Sequence, residues 1–325
     1  MRRRLTPLAV LLAGGALLAA GCEAQSAGSA EDFPSDSTEL VIAFGPGGGN
    51  DIMSRTLAGI LEDEGIYPER VLPENREGGA GATGWGYVFS QTGNPYVAST
   101  TSGSFITTPL QADTGWTYSD FTPVGLLAAD HALILVDPAS GIQTWDDWVE
   151  HARESGPVAV GGNGTVQVDF ILHAMAAEQS GYEIDYVPFN EVGQLETAML
   201  SGSVEAIVLN PAEAMGQIEA GAMQPILYSG EEAPDALGGV TTVADAGLEG
   251  IPSMPRGFIL PPDVPEDVQD WWIDALQQVV ETDAWQEYLE TNLLVPDTRW
   301  GDDFTAYLDE VAEQFEQTLT EHGAL

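Results

Sequence analysis

The sequence contains no lysine and has a single cysteine, Cys22. Its 9 basic residues are all arginines, and they face 51 aspartates and glutamates, which gives a formal net charge of −42. Because phosphate backbones are bound through lysine- and arginine-rich surfaces, this composition excludes a DNA- or RNA-binding protein. The lone cysteine excludes a disulfide within the chain. The 4 histidines are scattered, with no spaced partner that would indicate a metal site.

Motifs of common enzyme classes are also missing. The sequence has no G-x-S-x-G, no H-E-x-x-H and no Walker lysine loop. The acidic residues are spread along the chain, which favours a solvated surface suited to high salt over a metal-binding protein. At 1 M salt the Debye length is about 3 Å, so this charge would hardly repel an anionic ligand at range.

The N-terminus has the pattern of a secretion signal. Three arginines precede an apolar run, Leu8–Ala20, that is too short to span a membrane. The segment Leu18–Cys22 resembles a bacterial lipobox, in which the cysteine is lipidated. We therefore expect a signal peptide over 1–21, lipidation of Cys22 and a polar tether over 22–37. This predicts a body exported and anchored to the outer face of the cell membrane, or periplasmic. An ordinary cleaved signal is the alternative.

The glycine-rich stretch Phe44–Asp51 lies between an apolar run with strand character and a helical pattern over Ile52–Leu61. Strand, glycine loop and helix in this order direct free backbone N–H groups toward a ligand, and favour an anion. Asn50 or Asp51 is expected to cap the helix. A tight turn without a ligand is the alternative.

Two further glycine stretches repeat this pattern. Gly78–Gly84 contains a literal G-x-G-x-x-G, but no acidic residue follows at the spacing of a ribose partner, so we do not expect a dinucleotide site. It predicts instead a helix N-terminus facing the same cleft. The third loop, Gly161–Thr165, follows a short strand and precedes a helix. Another strand, Tyr96–Thr100, runs into hydroxyl residues suited to a polar cleft or to a plain turn. The alternation of strands and helices predicts an α/β fold.

Together these blocks resemble the receptors of tripartite tricarboxylate transporters, the solute-binding proteins of the TctC or Bug type. Ala43–Ile52 with Arg55 resembles the opening signature of the family, roughly V-P-x-x-x-G-G-x-x-D. Glu74–Gly84 resembles its E-N-x-x-G-A-G-G-x-x-G block. Gly161–Thr165 and Val187–Phe189 resemble two blocks of its second domain. The similarity covers nearly the whole mature chain.

This resemblance implies a two-lobe α/β fold like that of type II periplasmic binding proteins, with strands that cross at a hinge. Lobe I is expected over 38–136 plus 255–325, and lobe II over 137–254. It also implies a monomer without catalytic activity, cofactor or metal. The protein would capture a small carboxylate (a tri- or dicarboxylate, an aromatic acid or an acidic amino acid) and deliver it to a permease with a small and a large membrane subunit. A lipoprotein serving a sensor kinase, or an enzyme on the same fold, are the alternatives.

The expected ligand residues surround the three glycine loops. The family binds carboxylates largely through backbone amides, which carries over to Phe44, Gly45, Gly48, Gly49, Asp51, Gly162, Asn163, Gly164 and Thr165. We add Gly81, Thr83, Ser102, Asp169 and Asn210. Asp51 is expected to cap the helix or pair with Arg55 rather than touch the ligand. Many relatives have a histidine where this chain has Val168-Asp169-Phe170, and the acid favours a ligand that carries an amino group.

Overall fold

The computed structural model describes residues 33–165, 167–189 and 192–324. The predicted signal peptide, Cys22 and most of the tether lie outside these residues. Two sheets, each packed with helices, form the described chain. We call the parts built on the first and the second sheet the first and the second lobe. This is the mixed α/β architecture that the sequence predicted.

The first sheet contains six strands. They are β1 (Thr38–Ile42), β2 (Val71–Asn75), β3 (Val97–Thr100), β4 (Thr122–Asp130), β10 (Met254–Leu260) and β11 (Arg299–Trp300). Their order in the sheet is β11-β4-β10-β3-β1-β2. β1 pairs in parallel with β2 and β3, so the chain leaves β1 and β3 at the same edge. β10 runs antiparallel between β3 and β4.

The second sheet has five strands. They are β5 (Leu133–Val136), β6 (Val158–Asn163), β7 (Ile184–Phe189), β8 (Ala206–Leu209) and β9 (Gln224–Tyr228). Their order is β7-β6-β8-β5-β9. β6 pairs in parallel with β7 and β8, whereas β5 is antiparallel to β8 and β9.

Ten α-helices connect and cover these strands within the described residues. They are α1 (Gly49–Asp63), α2 (Ala82–Ser90), α3 (Ser104–Gln111), α4 (Trp145–Ser155), α5 (Val168–Ser180), α6 (Val192–Leu200), α7 (Pro211–Glu219), α8 (Glu266–Val280), α9 (Asp283–Asn292) and α10 (Asp302–Glu321). Thr144 and Asp147 form a capping box at the start of α4.

The chain crosses between the two sheets twice, and the first crossing does not lie where the sequence predicted it. The chain leaves the first sheet after Asp130 and enters the second at Leu133. The crossing expected at Val136-Asp137 therefore lies one strand too late, because the apolar run Leu133–Val136 pairs within the second sheet. A fully buried strand has no polar face that would tell the two sheets apart. The chain returns to the first sheet at Met254.

Two details of the glycine loops also differ from expectation. Gly48, not Asn50 or Asp51, is the N-cap of α1, and α1 already begins at Gly49. Gly161 and Gly162 are not loop residues, since they extend β6 and pair with β7. A Cβ on Gly161 would lie 2.7 Å from Leu195 Cδ1, so the absent side chain allows α6 to pack closely on this strand.

One hydrophobic cluster joins the two lobes. Phe105 of α3 and Phe304 and Phe315 of α10 belong to it, together with Val168 and Ile171 of α5 from the second lobe. Each fully buried side chain of this size contributes roughly 1.5–3 kcal/mol. The C-terminal helix therefore holds the start of α5 near the first lobe. The apolar faces of α8 and α10 are buried, with Trp272, Leu276, Leu308, Val311 and Leu319 among their residues.

Candidate ligand-binding site

The first glycine loop presents its backbone to solvent. Gly47, Gly48 and Gly49 are exposed, and α1 starts at the last of them. The first N–H groups of a helix have no partner within it, and its N-terminus carries roughly half a positive charge. A helix of 15 residues thus offers an anion-binding end at the carboxyl edge of β1.

The side chain of Asp51, in the first turn of α1, binds the backbone of this loop. Its carboxylate accepts hydrogen bonds from Gly47 N–H at 2.9 Å, Arg55 Nε at 2.9 Å and Asn75 Nδ2 at 2.8 Å. Burial opposes ionisation of Asp51, but these donors outweigh it and lower the pKa of the carboxyl group. The predicted pairing with Arg55 is confirmed. Asn75 also donates to the carbonyl oxygen of Phe44 at 2.9 Å, so Asp51 and Asn75 together fix both ends of the loop.

The carboxyl end of β3 lies beside this helix start. Asn50 Nδ2 donates to Thr101 O at 3.1 Å, and Thr100 Oγ1 donates to Asn50 Oδ1 at 2.9 Å. Ser102 follows directly, and its Oγ is buried without a hydrogen-bond partner in the structure. A buried hydroxyl that lacks a partner costs about 1–3 kcal/mol, which a ligand oxygen would recover.

The second glycine stretch is shaped mainly by packing. A short 3₁₀ turn, Gly79–Gly81, precedes α2, and Gly81 has a φ of 94°. A Cβ on Gly81 would lie 2.2 Å from Trp85 Cζ3, and one on Gly84 would lie 2.6 Å from Ala43 Cα. Gly84 therefore lets α2 pack against the end of β1, whereas Gly81 leaves room for the Trp85 ring of its own helix. Thr83 is exposed at the start of α2, with its hydroxyl close to Gly78.

The third loop is held by a buried carboxylate and a tyrosine. Asp169 Oδ2 accepts a hydrogen bond from Asn163 N–H at 2.7 Å, and Tyr186 Oη donates to Gly164 O at 2.9 Å. Burial raises the pKa of Asp169 to about 7, although the Asn163 N–H acts in the opposite direction. Asp169 and Tyr186 cover Gly162, whereas Thr165 is exposed.

The two lobes meet at the loops that the sequence singled out. Ser104 Oγ at the start of α3 donates to Gln167 Oε1 at 2.8 Å, directly before α5. A Cβ on Gly103 would lie 2.5 Å from Val168 Cγ2. The end of β3 in the first lobe is therefore in contact with the start of α5 in the second.

Asn210 belongs to a polar network that sequence reasoning missed. Its Nδ2 donates to Asp130 Oδ1 at 2.8 Å, and Asp130 Oδ2 accepts from Arg256 Nε at 3.1 Å and also from Nη2. Arg256 and Asp130 are 9% and 3% exposed. Burial opposes the charge on Arg256, yet Asp130 outweighs it and raises the pKa of the guanidinium. An arginine inside the otherwise apolar strand β10 was the available signal, since a buried charge requires a partner.

Glu213 is a second residue that the sequence did not single out. It lies in the first turn of α7, which Asn210 precedes as N-cap. Glu213 is exposed, yet the surrounding protein keeps water from part of its carboxylate, and this desolvation raises its pKa. Asp130 acts in the same direction and Arg256 opposes it, so the three charges share one region.

A separate cavity of about 970 Å³ lies between the lobes, lined by His131, Ser229, Arg299, Tyr307 and other residues. None of the predicted ligand residues lines it. Asp130 lies between Ala129 and His131 in sequence, but its side chain turns to Arg256 and Asn210 instead. We place the candidate site at the strand ends, because backbone donors and an unpaired hydroxyl meet there.

The described residues lack two features of other kinds of function. Within 33–165, 167–189 and 192–324, no group of three histidine, cysteine, aspartate or glutamate side chains is arranged to hold a metal ion. Over the same residues, no helix combines the length and the apolar character needed to cross a bilayer.

Comparison with known proteins settles the family. The model of the tripartite tricarboxylate transporter family receptor matches residues 62–321. The chain belongs to this family. Its members are extracytoplasmic solute-binding receptors that bind small carboxylates and work with membrane transporters. The resemblance found in the glycine loops is therefore confirmed.

Individual relatives are distant in sequence but cover most of the chain. BugT of Bordetella pertussis is 22% identical over 242 residues, which cover 72% of this chain and 73% of BugT. The structure of a TctC solute-binding protein from Polaromonas has a TM-score of 0.77 at 21% identity, covering 89% of this chain and 100% of that one. A Rhodopseudomonas palustris protein solved with adipate has a TM-score of 0.75 at 20% identity, covering 90% and 99%. These likenesses confirm the predicted periplasmic-binding-protein-like fold.

Proposed function

We propose that this receptor captures a small carboxylate between the N-terminus of α1 and the loop Asn163–Thr165, and delivers it to a permease with one small and one large membrane subunit. The observation that carries the proposal is the exposed backbone of Gly47–Gly49 at the start of α1. A chain without lysine can bind an anion there through helix N–H groups. The structure of the relative with adipate supports a carboxylate as the class of ligand.

The remaining predictions from the sequence belong to the same proposal. The receptor acts as a monomer without catalysis, and lipid on Cys22 tethers it to the outer face of the membrane. The fourteen predicted ligand residues surround the ligand in this proposal, some as direct contacts and others, such as Asp51 and Gly81, as supports of the loops. Mass spectrometry of the mature protein tests the tether, since an unmodified Cys22 or its removal with the signal would contradict lipidation.

A thermal-shift screen of the mature protein identifies the ligand. Carboxylates, amino acids, divalent metals and nucleotides are compared at low and at high salt. A ligand at 100 times its dissociation constant stabilises the folded state by about 2.7 kcal/mol, which gives a measurable shift. We expect a salt-tolerant shift with a small carboxylate. A shift with metals or nucleotides alone would contradict the proposal.

A pair of substitutions at Gly48 tests the backbone site itself. Gly48 has a φ of −81° and a ψ of 167°, which proline and alanine both adopt, and a Cβ there meets nothing within 4 Å. Gly48→Pro removes one N–H donor and Gly48→Ala keeps it. We expect a loss of carboxylate affinity of about 10-fold or more for the proline variant, since a hydrogen bond to a charged group contributes about 1.5–3 kcal/mol. The alanine variant should bind like the unmodified protein.

Asp169 and Glu213 favour a ligand that carries an amino group besides its carboxylate. Both acids lie in the second lobe. Burial raises the pKa of each carboxyl group, and the charge of Glu213 adds to the rise at Asp169. An ammonium group would be stabilised there, whereas a second carboxylate would be repelled. Amino acids should therefore bind more tightly than dicarboxylates of equal length. Asp169→Asn should reduce the difference in affinity between amino acids and dicarboxylates. An unchanged difference in affinity would contradict the role of Asp169.

A further inference from the structure

Arg256 is the buried arginine of the described chain. Its whole residue is 9% exposed, while the side chains of Arg55, Arg70 and Arg299 are 48%, 69% and 39% exposed. Nε and Nη2 of Arg256 both donate to Asp130 Oδ2. Nη1 donates no hydrogen bond within the part of the chain that the structure describes. One edge of the guanidinium is therefore fixed and another is free.

The guanidinium lies against the start of α1. A Cβ on Gly49 would lie 2.8 Å from Arg256 Nη2 and 3.4 Å from Nη1. The first exposed N–H groups of α1 and the free Nη1 thus lie side by side. Asp130 balances the charge of the guanidinium, so this position adds the donors of Nη1 to the partial positive charge of the helix N-terminus.

Ser102 supplies an independent observation at the same place. It is 9% exposed, and its Oγ is buried without a hydrogen-bond partner among the described residues. The preceding residue, Thr101, accepts from Asn50 through its carbonyl oxygen and from Gly257 N–H through its hydroxyl. The residue before Ser102 is therefore bonded both to the start of α1 and to the segment that carries Arg256.

We propose that Arg256 Nη1, the N–H of Gly49 and the Ser102 hydroxyl together bind one carboxylate of the ligand, with Asp130 as the positioning residue that orients the guanidinium. This inference rests on the carboxylate-receptor function proposed above and assigns its cationic anchor. Asp130 is itself held by Asn210 of the second lobe at 2.8 Å. The anchor is thus fixed from both lobes, at the point where the chain leaves the first sheet after β4 and returns to it in β10.

The anchor determines specificity for an ionised carboxylate. A carboxamide of the same shape has no charge to offer the guanidinium and brings its own N–H groups toward these donors. Charge-assisted hydrogen bonds are roughly twice as strong as neutral ones. We therefore expect carboxylates to bind at least 10-fold more tightly than the matching carboxamides.

The test uses a double variant, because Arg256 cannot be removed alone without leaving Asp130 as an unpaired buried charge. Asp130→Asn with Arg256→Gln removes both charges together. The matched control is Asp297→Asn with Arg299→Gln, which removes a second guanidinium–carboxylate pair at 3.1 Å that lies outside the loops. Circular dichroism and thermal unfolding establish that both double variants fold.

Binding is measured by calorimetry with propionate, L-alanine, succinate, L-malate, adipate and citrate, and with propionamide and succinamide. We expect the Asp130/Arg256 variant to lose about 10- to 100-fold in affinity for the carboxylate that binds best, and to lose its discrimination against the carboxamide. The control variant should keep its affinity for the carboxylate and its discrimination against the carboxamide. If the folded Asp130/Arg256 variant keeps its affinity and its discrimination, Arg256 is not the anchor and the receptor function still stands. If the unmodified protein binds none of the carboxylates, the proposed function fails, and the anchor fails with it.

Discussion

The carboxylate of Asp51 accepts a hydrogen bond from the backbone N–H of Gly47 at 2.9 Å, and so closes the first glycine loop on its own helix. The second lobe repeats this device, since Asp169 accepts from Asn163 N–H at 2.7 Å. In both lobes a carboxylate in the first turn of a helix binds the loop that precedes it. The loop N–H groups that remain free are therefore held in place before a ligand arrives.

Replacing Asp51 by asparagine should loosen the first loop. The amide would turn an N–H group toward Gly47, Arg55 or Asn75, all of which are donors here. We expect the free energy of unfolding to fall by about 1–3 kcal/mol, together with weaker carboxylate binding. Urea denaturation and calorimetry measure the two effects.

Asp63→Asn is the matched control for Asp51→Asn. Asp63 is exposed at the other end of the same helix. Exposed substitutions of this kind usually change the free energy of unfolding by no more than about 0.5 kcal/mol. Equal stability of the two variants would show that the loop does not depend on Asp51.

Gly84→Ala should destabilise the protein by overpacking the contact between α2 and β1. The new Cβ would lie 2.6 Å from Ala43 Cα and 2.9 Å from Arg76 O, and backbone atoms cannot move aside cheaply. We expect a loss of about 1–3 kcal/mol or more in urea denaturation. Gly59→Ala in α1 is the control, because its Cβ meets nothing within 4 Å. It should stabilise the helix by about 0.5–1 kcal/mol, and a loss there would contradict the packing argument.

The sequence predicted the glycine loops because their signal is local. The strand before Phe44 and the helix after Asp51 depend on neighbours within a few residues. The helix α3 was missed because it is short, rich in hydroxyl residues and contains Pro109. Such a segment has weak helix propensity, and packing against the first lobe determines its conformation.

The candidate site could be predicted only in part, since its charges come from distant segments. Arg256 and Asp130 are separated by 126 positions in sequence. Their pairing follows from the antiparallel contact of β4 and β10. No local sequence pattern predicts that contact. The exposed backbone of Gly47–Gly49 was foreseeable, because glycine spacing alone indicates it. The buried and unpaired hydroxyl of Ser102 could be found only once its surroundings were known.

Asp169 should make stability depend on pH in an unusual direction for an aspartate. Its pKa is raised to about 7 in the folded protein, from 3.8 as the ordinary value. Between these pH values the folded state binds more protons than the unfolded state. The contribution of Asp169 to the free energy of unfolding is therefore full at low pH and is lost as the pH rises through about 7. The loss has a slope of up to about 1.4 kcal/mol per pH unit.

Asp169→Asn removes this titration while keeping an oxygen that accepts from Asn163 N–H. The difference in free energy of unfolding, unmodified protein minus variant, should fall from pH 4 to pH 7 and stay level above. Asp185→Asn on β7 is the control, because Asp185 is exposed. Curves for the Asp169 variant and the unmodified protein that run parallel over this range would contradict the raised pKa.

The excess of acidic residues should make the protein more stable at high salt. With 51 acidic and 9 basic residues, repulsion among surface carboxylates opposes the compact state. The Debye length falls from about 10 Å at 0.1 M to about 3 Å at 1 M, which screens exposed charges and leaves buried pairs such as Asp130 and Arg256 little affected. We expect the free energy of unfolding at pH 7 to rise with potassium chloride. Glu313→Gln with Glu316→Gln, two exposed positions on α10, should raise stability by about 0.2–0.5 kcal/mol at 50 mM salt and leave it unchanged at 1 M. An equal gain at both salt concentrations would point to helix propensity instead of charge.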